Sequence, residues 1–492
     1  MKQKRLIGNA LLLTATGFVL RGLGMVVRVY ISSKIGEEGM GLYQLVQSVY
    51  FLFITLAQSG ISVALTRCMS AHLAKGDTVA AYSSLKSALN LSFFIGSVSG
   101  AAMCALAKPV CMYWLGDMRC VGALTTLSAS LPFIAVCNVL SAYFIIRANA
   151  VYGCTAQLLE QGVRIAVIML SGVIFKPKNL AGSLNAIVFA SAVSEAVSCA
   201  FLYACYMIKR PKLKRKRQYR PIIKNAVPVA LSRYLASALH TVENVLVPNA
   251  ITMYTHSKSE ALSQFGALKG MALPLLFFPY SFLSAITTLL VPKITGADAV
   301  GNKRALANTT HKICRITLVM AFAAAGLFYT FNEYIGMLVF KSERVCTLIM
   351  LLAPIVPFMY LDSICDGFLK GLGKQKQVLY HNCIDSGLRI ILVLIFVPRF
   401  GLMGFIGVMV VSNVLIALMN FFTLCRAADI KFGFFSRFFV PAAVTFASAV
   451  LTKIIVKNGA TTTKTVVGVL LYSGVFALFY ALLATYEKIY KI

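Results

Sequence analysis

Leu131-Pro-Phe-Ile134 returns later in the chain as Val356-Pro-Phe-Met359, at an offset of 225 residues (356 minus 131). At the same offset and without a gap, Glu160-Gln-Gly-Val-Arg-Ile165 returns as Asp385-Ser-Gly-Leu-Arg-Ile390. Any one match could arise by chance, but a series at one offset is the signature of an internal repeat. The chain therefore contains two copies of one structural unit.

The repeat lies in a very apolar chain. Of its 492 residues, 59% are hydrophobic and only 13% are charged, whereas soluble proteins are about half apolar and about a quarter charged. This composition predicts a polytopic membrane protein. It argues against collagenous, disordered and disulfide-stapled secreted proteins, and it leaves little room for a soluble domain.

Many apolar segments are long enough to be membrane helices, since crossing about 30 Å of hydrocarbon takes roughly 20 residues. The segments of this length without a charged residue are Gly39–Thr66, Ser87–Ala107, Val121–Ile146, Gly270–Pro292, Phe400–Cys425 and Thr465–Tyr486. Others are apolar but interrupted. Barrel strands are shorter and alternate in polarity, so the sequence predicts an all-α polytopic membrane protein with about fourteen transmembrane helices.

The repeat also predicts how these helices are organised. The offset contains about six spans, an even number, so both copies enter the membrane in the same direction. We expect two parallel six-helix lobes around a central cavity, followed by a terminal helix pair outside the repeat. The predicted parts are an N-terminal lobe (1–208), a basic cytoplasmic linker (209–224), a C-terminal lobe (225–425) and the terminal spans (426–492).

The net charge of +31 comes mainly from Lys and Arg in alternate connections between spans. The opposite connections are short and poor in cations, so the positive-inside rule places both termini in the cytoplasm. The densest run, Lys209 to Arg220, could bind nucleic acid or anionic lipid. We interpret it as a topology-fixing linker that meets anionic lipids at the cytoplasmic face, and we expect no nucleic-acid partner.

Ionisable side chains inside spans are costly, so each is a candidate functional residue. Arg21 and Arg28 in the first span are two helical turns apart and share a face, and no acid lies three or four residues from either. Lys269, before the apolar part of the eighth span, also lacks a local acid. Guanidinium groups match phosphate oxygens, so the three predict a site for an anionic head group. The alternative for Arg28 is a side chain that reaches the outer interface.

Two acid–base pairs recur in the repeat. Glu160 and Arg164 in the fifth span are four residues apart, as are Asp385 and Arg389 in the eleventh, so each pair can neutralise itself on one helix face. Because the pair occurs in both copies, a structural role is favoured over a role in substrate binding.

Two further polar groups are candidates for lining the cavity or binding a coupling ion. His240 and Glu243 share a face of the seventh span, and Asp362 and Asp366 form a stripe with Lys370 in the tenth. Such faces must meet water or protein, so Na+ and H+ are the candidate coupling ions. For the stripe in the tenth span, self-pairing is the alternative.

No metal, cofactor or enzymatic activity is expected. The 13 Cys and 5 His show no metal-ligand spacing and no disulfide framework. The glycine spacing of Gly367–Lys374 does not fit a phosphate loop. A membrane glycosyltransferase or ligase would need carboxylates in a large outer loop, and the outer loops predicted here are short with few acids.

Several stretches carry a resemblance to a known family. They are Ile35–Tyr43, Ala57–Ala64, Gly270–Pro274 with Leu290–Pro292, and Gly367–Lys374. In order and spacing they resemble the stage V sporulation protein B and polysaccharide-biosynthesis branch of the multidrug/oligosaccharidyl-lipid/polysaccharide exporter superfamily. The resemblance runs from the first span to the twelfth.

This resemblance implies a flippase that moves undecaprenyl-diphosphate-linked glycans, peptidoglycan precursors among the candidates, outward across the bacterial cytoplasmic membrane by alternating access. Arg21, Arg28 and Lys269 resemble essential basic residues of a sister branch, the lipid II flippases, whose second-span arginine has no counterpart here. In that branch the last two spans form a groove for the lipid tail. The alternative is a Na+- or H+-coupled exporter of drugs or metabolites with the same fold.

Overall fold

The structure of the protein is a computed structural model. It describes residues 2–58, 60–174, 179–209, 219–430, 434–455, 467–478 and 480. Every regular element within these ranges is helical, so the all-α fold predicted from the sequence is confirmed. The residues pack into two units, Met1–Asn249 (unit 1) and Ala250–Ile492 (unit 2). Most of the predicted basic linker lies outside the described residues.

The helices of unit 1 follow the chain in order. They are α1 (Lys2–Gln58), α2 (Ile61–Ala74), α3 (Thr78–Pro109), α4 (Val121–Ser128), α5 (Leu131–Ile146), α6 (Ala150–Ile174), α7 (Leu180–Lys209) and α8 (Arg220–Thr255), whose last residues belong to unit 2.

Unit 2 repeats much of this order. Its helices are α9 (Lys258–Phe265), α10 (Leu273–Phe277), α11 (Tyr280–Ala299), α12 (Lys303–Thr330), α13 (Asn332–Phe340), α14 (Glu343–Leu352), α15 (Val356–Gly371), α16 (Gln375–Ala428), α17 (Phe434–Ile455) and α18 (Val467–Leu478).

The sequence repeat is visible in the helix boundaries. Helices α5 and α15 begin and end at the same offset of 225 residues, and α3 and α12 also begin at it. Asp77 and Asn302 cap α3 and α12 by accepting hydrogen bonds from the backbone N–H three residues on, at 2.8 Å and 3.0 Å. The residues before them, Gly76 and Gly301, are both left-handed, with φ of +77° and +71°. Equivalent residues therefore start equivalent helices.

Two helices are too long for one membrane crossing. The 57 residues of α1 and the 54 of α16 would each extend roughly 80 Å or more if straight, against about 30 Å of hydrocarbon. Each is kinked at a glycine, Gly36 (φ 66°, ψ −170°) or Gly401 (φ 57°, ψ −138°). Among the described residues, six helices are long and apolar enough to span, or up to eight if each of two bent pairs is one span. The count of about fourteen spans stays a prediction.

The kink at Gly401 gives a test of the fold. We expect Gly401→Ala to destabilise the protein by about 1–3 kcal/mol, because alanine rarely adopts this backbone conformation and its Cβ would overlap the ring of Tyr254. Gly387→Ala in the same helix is the control, since its Cβ would meet nothing within 4 Å and should be neutral or slightly stabilising. Unfolding in mixed micelles measures both changes. Equal stability of Gly401→Ala and wild type would contradict the kinked conformation.

The first part of α8 packs within unit 1. A Cβ on Gly60 would lie 3.1 Å from the carbonyl oxygen of Ala226, and Tyr234 donates its hydroxyl to the carbonyl of Leu56 at 3.3 Å. The boundary between the two units therefore lies within α8 and not at the predicted linker. Assignment of this helix to a second lobe stays a prediction.

Each unit has its own apolar core. In unit 1, Tyr143 is buried and packs edge-on against Phe144 and Tyr206. In unit 2 the terminal helices pack on α12, where Tyr472 donates its hydroxyl to the carbonyl of Ala323 at 3.2 Å. This approach depends on Gly326, since a Cβ there would overlap the Tyr472 hydroxyl.

Candidate functional site

The arginines predicted to bind an anionic head group lie on the part of α1 that precedes the kink. Arg21 is exposed and Arg28 is half-buried. They are seven residues apart, so their side chains project from one face. An accessible guanidinium on an apolar helix can bind a phosphate without a rearrangement of the protein core.

Lys269 lies in unit 2, in a π-helical turn over Gly266–Ala272 between α9 and α10. Its neighbours in this turn are buried and Lys269 is half-buried, with Nζ 5.6 Å from the ring centroid of Phe405. Aromatic rings hold ammonium groups at this distance, and π-helical turns are frequent at functional sites. Whether Lys269 and the two arginines share one head group stays a prediction.

The first acid–base pair of the repeat is part of a larger cluster. Arg164 Nη2 lies 2.6 Å from Glu160 Oε1 and 4.0 Å from Glu195 Oε1, so one cation lies between two carboxylates. All three side chains are mostly buried. The sequence alone does not reveal that Glu195 lies near Arg164, because Glu195 is on α7 and Arg164 is on α6.

In the second pair, the hydroxyl of Ser412 bonds both members. Arg389 Nη2 lies 2.8 Å from Asp385 Oδ2, and Arg389 Nε donates to Ser412 Oγ at 2.9 Å. Ser412 in turn donates its hydroxyl to Asp385 Oδ1. Asp385 is 7% exposed, so the ion pair with Arg389 and the hydrogen bond from Ser412 help to stabilise its buried charge. The structural role predicted for both pairs fits this geometry and stays a prediction.

The polar residues of α8 differ in burial. His240 is exposed, whereas Glu243 is only 2% exposed and Asn244 is 5% exposed. Asn244 Nδ2 lies 3.0 Å from His240 Nδ1, and Asn244 Oδ1 is buried without a donor among the described residues. The role of His240 and Glu243 as a coupling-ion site or cavity lining stays a prediction.

The stripe predicted in the tenth span divides into two parts. Asp366 is paired with Lys370 at 2.6 Å, as self-pairing requires. Asp362 instead accepts a hydrogen bond from Asn420 Nδ2 at 2.7 Å, and the other amide atom of Asn420, Oδ1, lies 2.7 Å from His381 Nδ1. Asn420 is 1% exposed and His381 is 9% exposed. A chain of hydrogen bonds therefore links two titratable groups through a buried amide.

The same positions in unit 1 carry a neutral version of this chain. The offset of 225 relates Asp362 to Cys137 and His381 to Ala156, and the match of Leu402-Met-Gly404 to Leu180-Ala-Gly182 sets an offset of 222 that relates Asn420 to Ser198. Ser198 Oγ lies 3.7 Å from Cys137 Sγ and donates to the carbonyl of Ala156 at 3.2 Å. Small neutral side chains are therefore enough to pack these helices together in unit 1. The carboxylate of Asp362 and the imidazole of His381 are specific to unit 2.

Each unit also has an ion pair that the sequence analysis missed. Arg119 Nη1 lies 2.8 Å from Glu38 Oε1 and its Nη2 lies 2.8 Å from Asp117 Oδ2. In unit 2, Arg344 Nη2 lies 2.7 Å from Glu260 Oε1. The arginines are related by the offset of 225, and both pairs lie in connections that the positive-inside rule places outside. The repeat could have pointed to the two arginines, but the acids that pair with them are not at equivalent positions, so the pairs themselves depend on the tertiary structure.

The long apolar helices define a multi-pass membrane protein, and the proteins that it resembles are membrane transporters. The profile of the polysaccharide biosynthesis protein family matches residues 6–298, and the MatE profile matches residues 235–395. The chain belongs to the polysaccharide biosynthesis protein family, within the superfamily that the sequence resemblance indicated.

Known proteins agree with this assignment. Stage V sporulation protein B of Bacillus subtilis (strain 168) is 25% identical over 444 residues, which is 88% of this chain and 86% of that protein. The solved structure of lipid II flippase MurJ in an inward closed conformation has a TM-score of 0.75 at 13% identity, covering 95% of this chain and 98% of that one. An inward-facing multidrug resistance MATE family transporter has a TM-score of 0.65 at 15% identity, covering 86% and 94%. These structures share the fold of this chain.

Proposed function

We propose that the protein is a flippase that moves a lipid-linked glycan with a diphosphate head group outward across the bacterial cytoplasmic membrane by alternating access. The observation that carries this proposal is the set of cations, Arg21, Arg28 and Lys269, within apolar stretches of the chain. Membrane helices tolerate such cations where they face a cavity or a partner of opposite charge. The undecaprenyl-diphosphate glycan supplies that charge.

The chemistry of the cations suits a diphosphate. A guanidinium donates two parallel hydrogen bonds to one phosphate group, and an ammonium adds a compact charge. A cationic drug would be repelled by all three. The names of the relatives support the class, because a lipid II flippase and a sporulation protein both lie among the proteins that this chain resembles. A peptidoglycan precursor is therefore one candidate cargo.

The direct test is translocation in liposomes. Purified protein reconstituted with fluorescent undecaprenyl-diphosphate disaccharide in the inner leaflet should move the lipid to the outer leaflet, where an impermeant quencher removes its fluorescence. Protein-free liposomes set the background rate. A rate equal to that background, with protein shown to be inserted, would overturn the proposal.

A second candidate is export of drugs or metabolites in exchange for Na+ or H+. The buried Glu243 and the chain of Asp362, Asn420 and His381 favour ion coupling. This candidate predicts efflux of cationic dyes that depends on an ion gradient. Equal dye accumulation in deleted and overexpressing cells would count against it.

Ion coupling of the flippase itself is tested at Asp362. The charged groups around Asp362 are Asp366 and Lys370 on its own helix and Asp385 on α16, with His381 reached through Asn420. If Asp362 carries the coupling proton, Asp362→Asn keeps a polar side chain but should make flipping independent of an imposed pH gradient. Asp366→Asn is the control and should keep the wild-type dependence, since Asp366 is paired with Lys370. A gradient response in Asp362→Asn equal to that of wild type would exclude this residue.

A further inference from the structure

Unit 2 contains a pocket of about 450 Å³ near the end of α8. Its lining includes Tyr254, Gln264, Glu343, Arg344, Phe400 and Met403. The volume lies in the range of pockets that hold small molecules. These residues all lie close to connections that the positive-inside rule places on the outer side of the membrane.

The polar side of the pocket is held in place by one carboxylate. Glu260 Oε1 accepts from Arg344 Nη2 at 2.7 Å and from Gln264 Nε2 at 2.9 Å. The second bond fixes the orientation of the Gln264 amide, so its Oε1 atom must act as an acceptor. That atom is buried and receives no hydrogen bond from any residue that the structure describes. Buried acceptors are rarely left without a donor, and Gln264 lines the pocket. Because Oε1 has almost no exposed surface, a ligand donor reaches it only when the Gln264 side chain turns into the pocket.

The apolar side of the pocket is aromatic. Tyr254 is 50% exposed and Phe400 is 57% exposed, and Phe400 stacks on Phe396 with their ring centroids 6.4 Å apart. Exposed rings beside fixed hydrogen-bonding groups suit a ligand with an apolar face and a polar edge.

Among the described residues of unit 1, the helices equivalent to part of the pocket wall approach each other closely. The offset of 225 relates Thr347 to Gly122, and the offset of 222 relates Gly407 to Asn185. In unit 1, α4 packs against α7, and a Cβ on Gly122 would lie 2.6 Å from Asn185 Nδ2. In unit 2 the order is reversed, because the larger residue, Thr347, is on α14 and the glycine, Gly407, is on α16. A Cβ on Gly407 would meet nothing within 4 Å. The pocket of unit 2 therefore lies near positions whose equivalents in unit 1 are in close helix contact.

We propose that this pocket is a saccharide subsite, which holds a sugar unit of the glycan on the outer side of the membrane. A sugar offers hydroxyl or amide donors to Gln264 Oε1, acceptors to Arg344 and a C–H face to the aromatic rings. A phosphate would satisfy Arg344 but would bring no donor to Gln264 and would meet the carboxylates of Glu260 and Glu343. An acyl chain would leave the polar groups without partners. The proposal rests on the proposed function, because the flippase cargo supplies the sugar.

The test is binding of free N,N′-diacetylchitobiose to the full chain in lipid nanodiscs, measured by saturation-transfer difference NMR. Nanodiscs are needed because sugar-based detergents would compete for the pocket. Wild type should bind, and Gln264→Leu should weaken binding about tenfold or more, since it removes the unpaired acceptor. Phe400→Ala should also weaken binding while leaving the polar side intact.

The matched control is Phe93→Ala in unit 1. Phe93 is 58% exposed and lines a mostly apolar pocket of about 630 Å³, so its loss should leave chitobiose binding unchanged. No binding to wild type, or the same loss in Phe93→Ala and Phe400→Ala, would overturn the subsite. If wild type flips the lipid-linked disaccharide but binds no chitobiose, the subsite is wrong and the flippase stands. If it binds chitobiose and flips nothing, the flippase is wrong, and what stands is a sugar-binding pocket that serves no flipped cargo.

Discussion

Replacing Arg21 or Lys269 by alanine is expected to lower the rate of lipid-linked glycan flipping by about tenfold or more. A hydrogen bond to a charged group contributes about 1.5–3 kcal/mol, and each 1.4 kcal/mol is about a factor of ten in affinity. Arg21 is exposed on its helix and Lys269 lies in a π-helical turn, so neither truncation removes a fully buried side chain. The liposome assay measures the effect, and thermal unfolding checks that both variants fold.

Conservative variants separate charge from geometry. Arg21→Lys keeps the charge but loses the two-pronged contact, so it should flip more slowly than wild type and faster than Arg21→Ala. Lys269→Arg should retain most of the activity. Lys303→Ala, at an exposed cation that starts α12, is the control for loss of one positive charge. Full activity of both Arg21→Ala and Lys269→Ala would remove the assignment of the head-group site.

The second large effect is expected in stability. Arg389→Met should lower the free energy of unfolding by about 3–5 kcal/mol, because it removes the cation paired with the buried carboxylate of Asp385. Equilibrium unfolding in mixed micelles measures the change. The exposed pair of the same spacing is the control: Lys370 is 52% exposed, and Lys370→Met should cost at most about 1 kcal/mol.

The double variant Asp385→Leu with Arg389→Met tests whether the loss comes from the unpaired charge. An apolar pair of similar size should recover most of the stability, because the attraction within a buried ion pair does little more than offset the cost of removing both charges from water. If the double variant is as unstable as Arg389→Met, packing of the arginine stem or its bonds to Ser412 carry the effect. If Arg389→Met is as stable as wild type, the pair has no structural role.

Some parts of the candidate site follow from sequence alone because they are local. The spacing of Asp385 and Arg389 places both on one helix face, and the structure pairs them at 2.8 Å. Lys370 and Asp366 follow the same rule. By contrast, Asn420 did not stand out in the sequence, since it joins Asp362 only when α15 and the second part of α16 pack together.

The sequence by itself determined that this is an all-α membrane protein, that it contains two copies of one helix order, and that a few cations lie within its spans. Apolar length, helical periodicity and a fixed offset are properties of neighbouring residues along the chain, so they can be read without coordinates. Only the tertiary structure decided that Asn420 joins Asp362 to His381 and that Glu195 joins Arg164. It also decided that the pocket lined by Tyr254 and Phe400 opens in unit 2. These features depend on how closely two helices approach, and an exchange as small as Gly122 for Thr347 accompanies a contact in one unit and a pocket in the other.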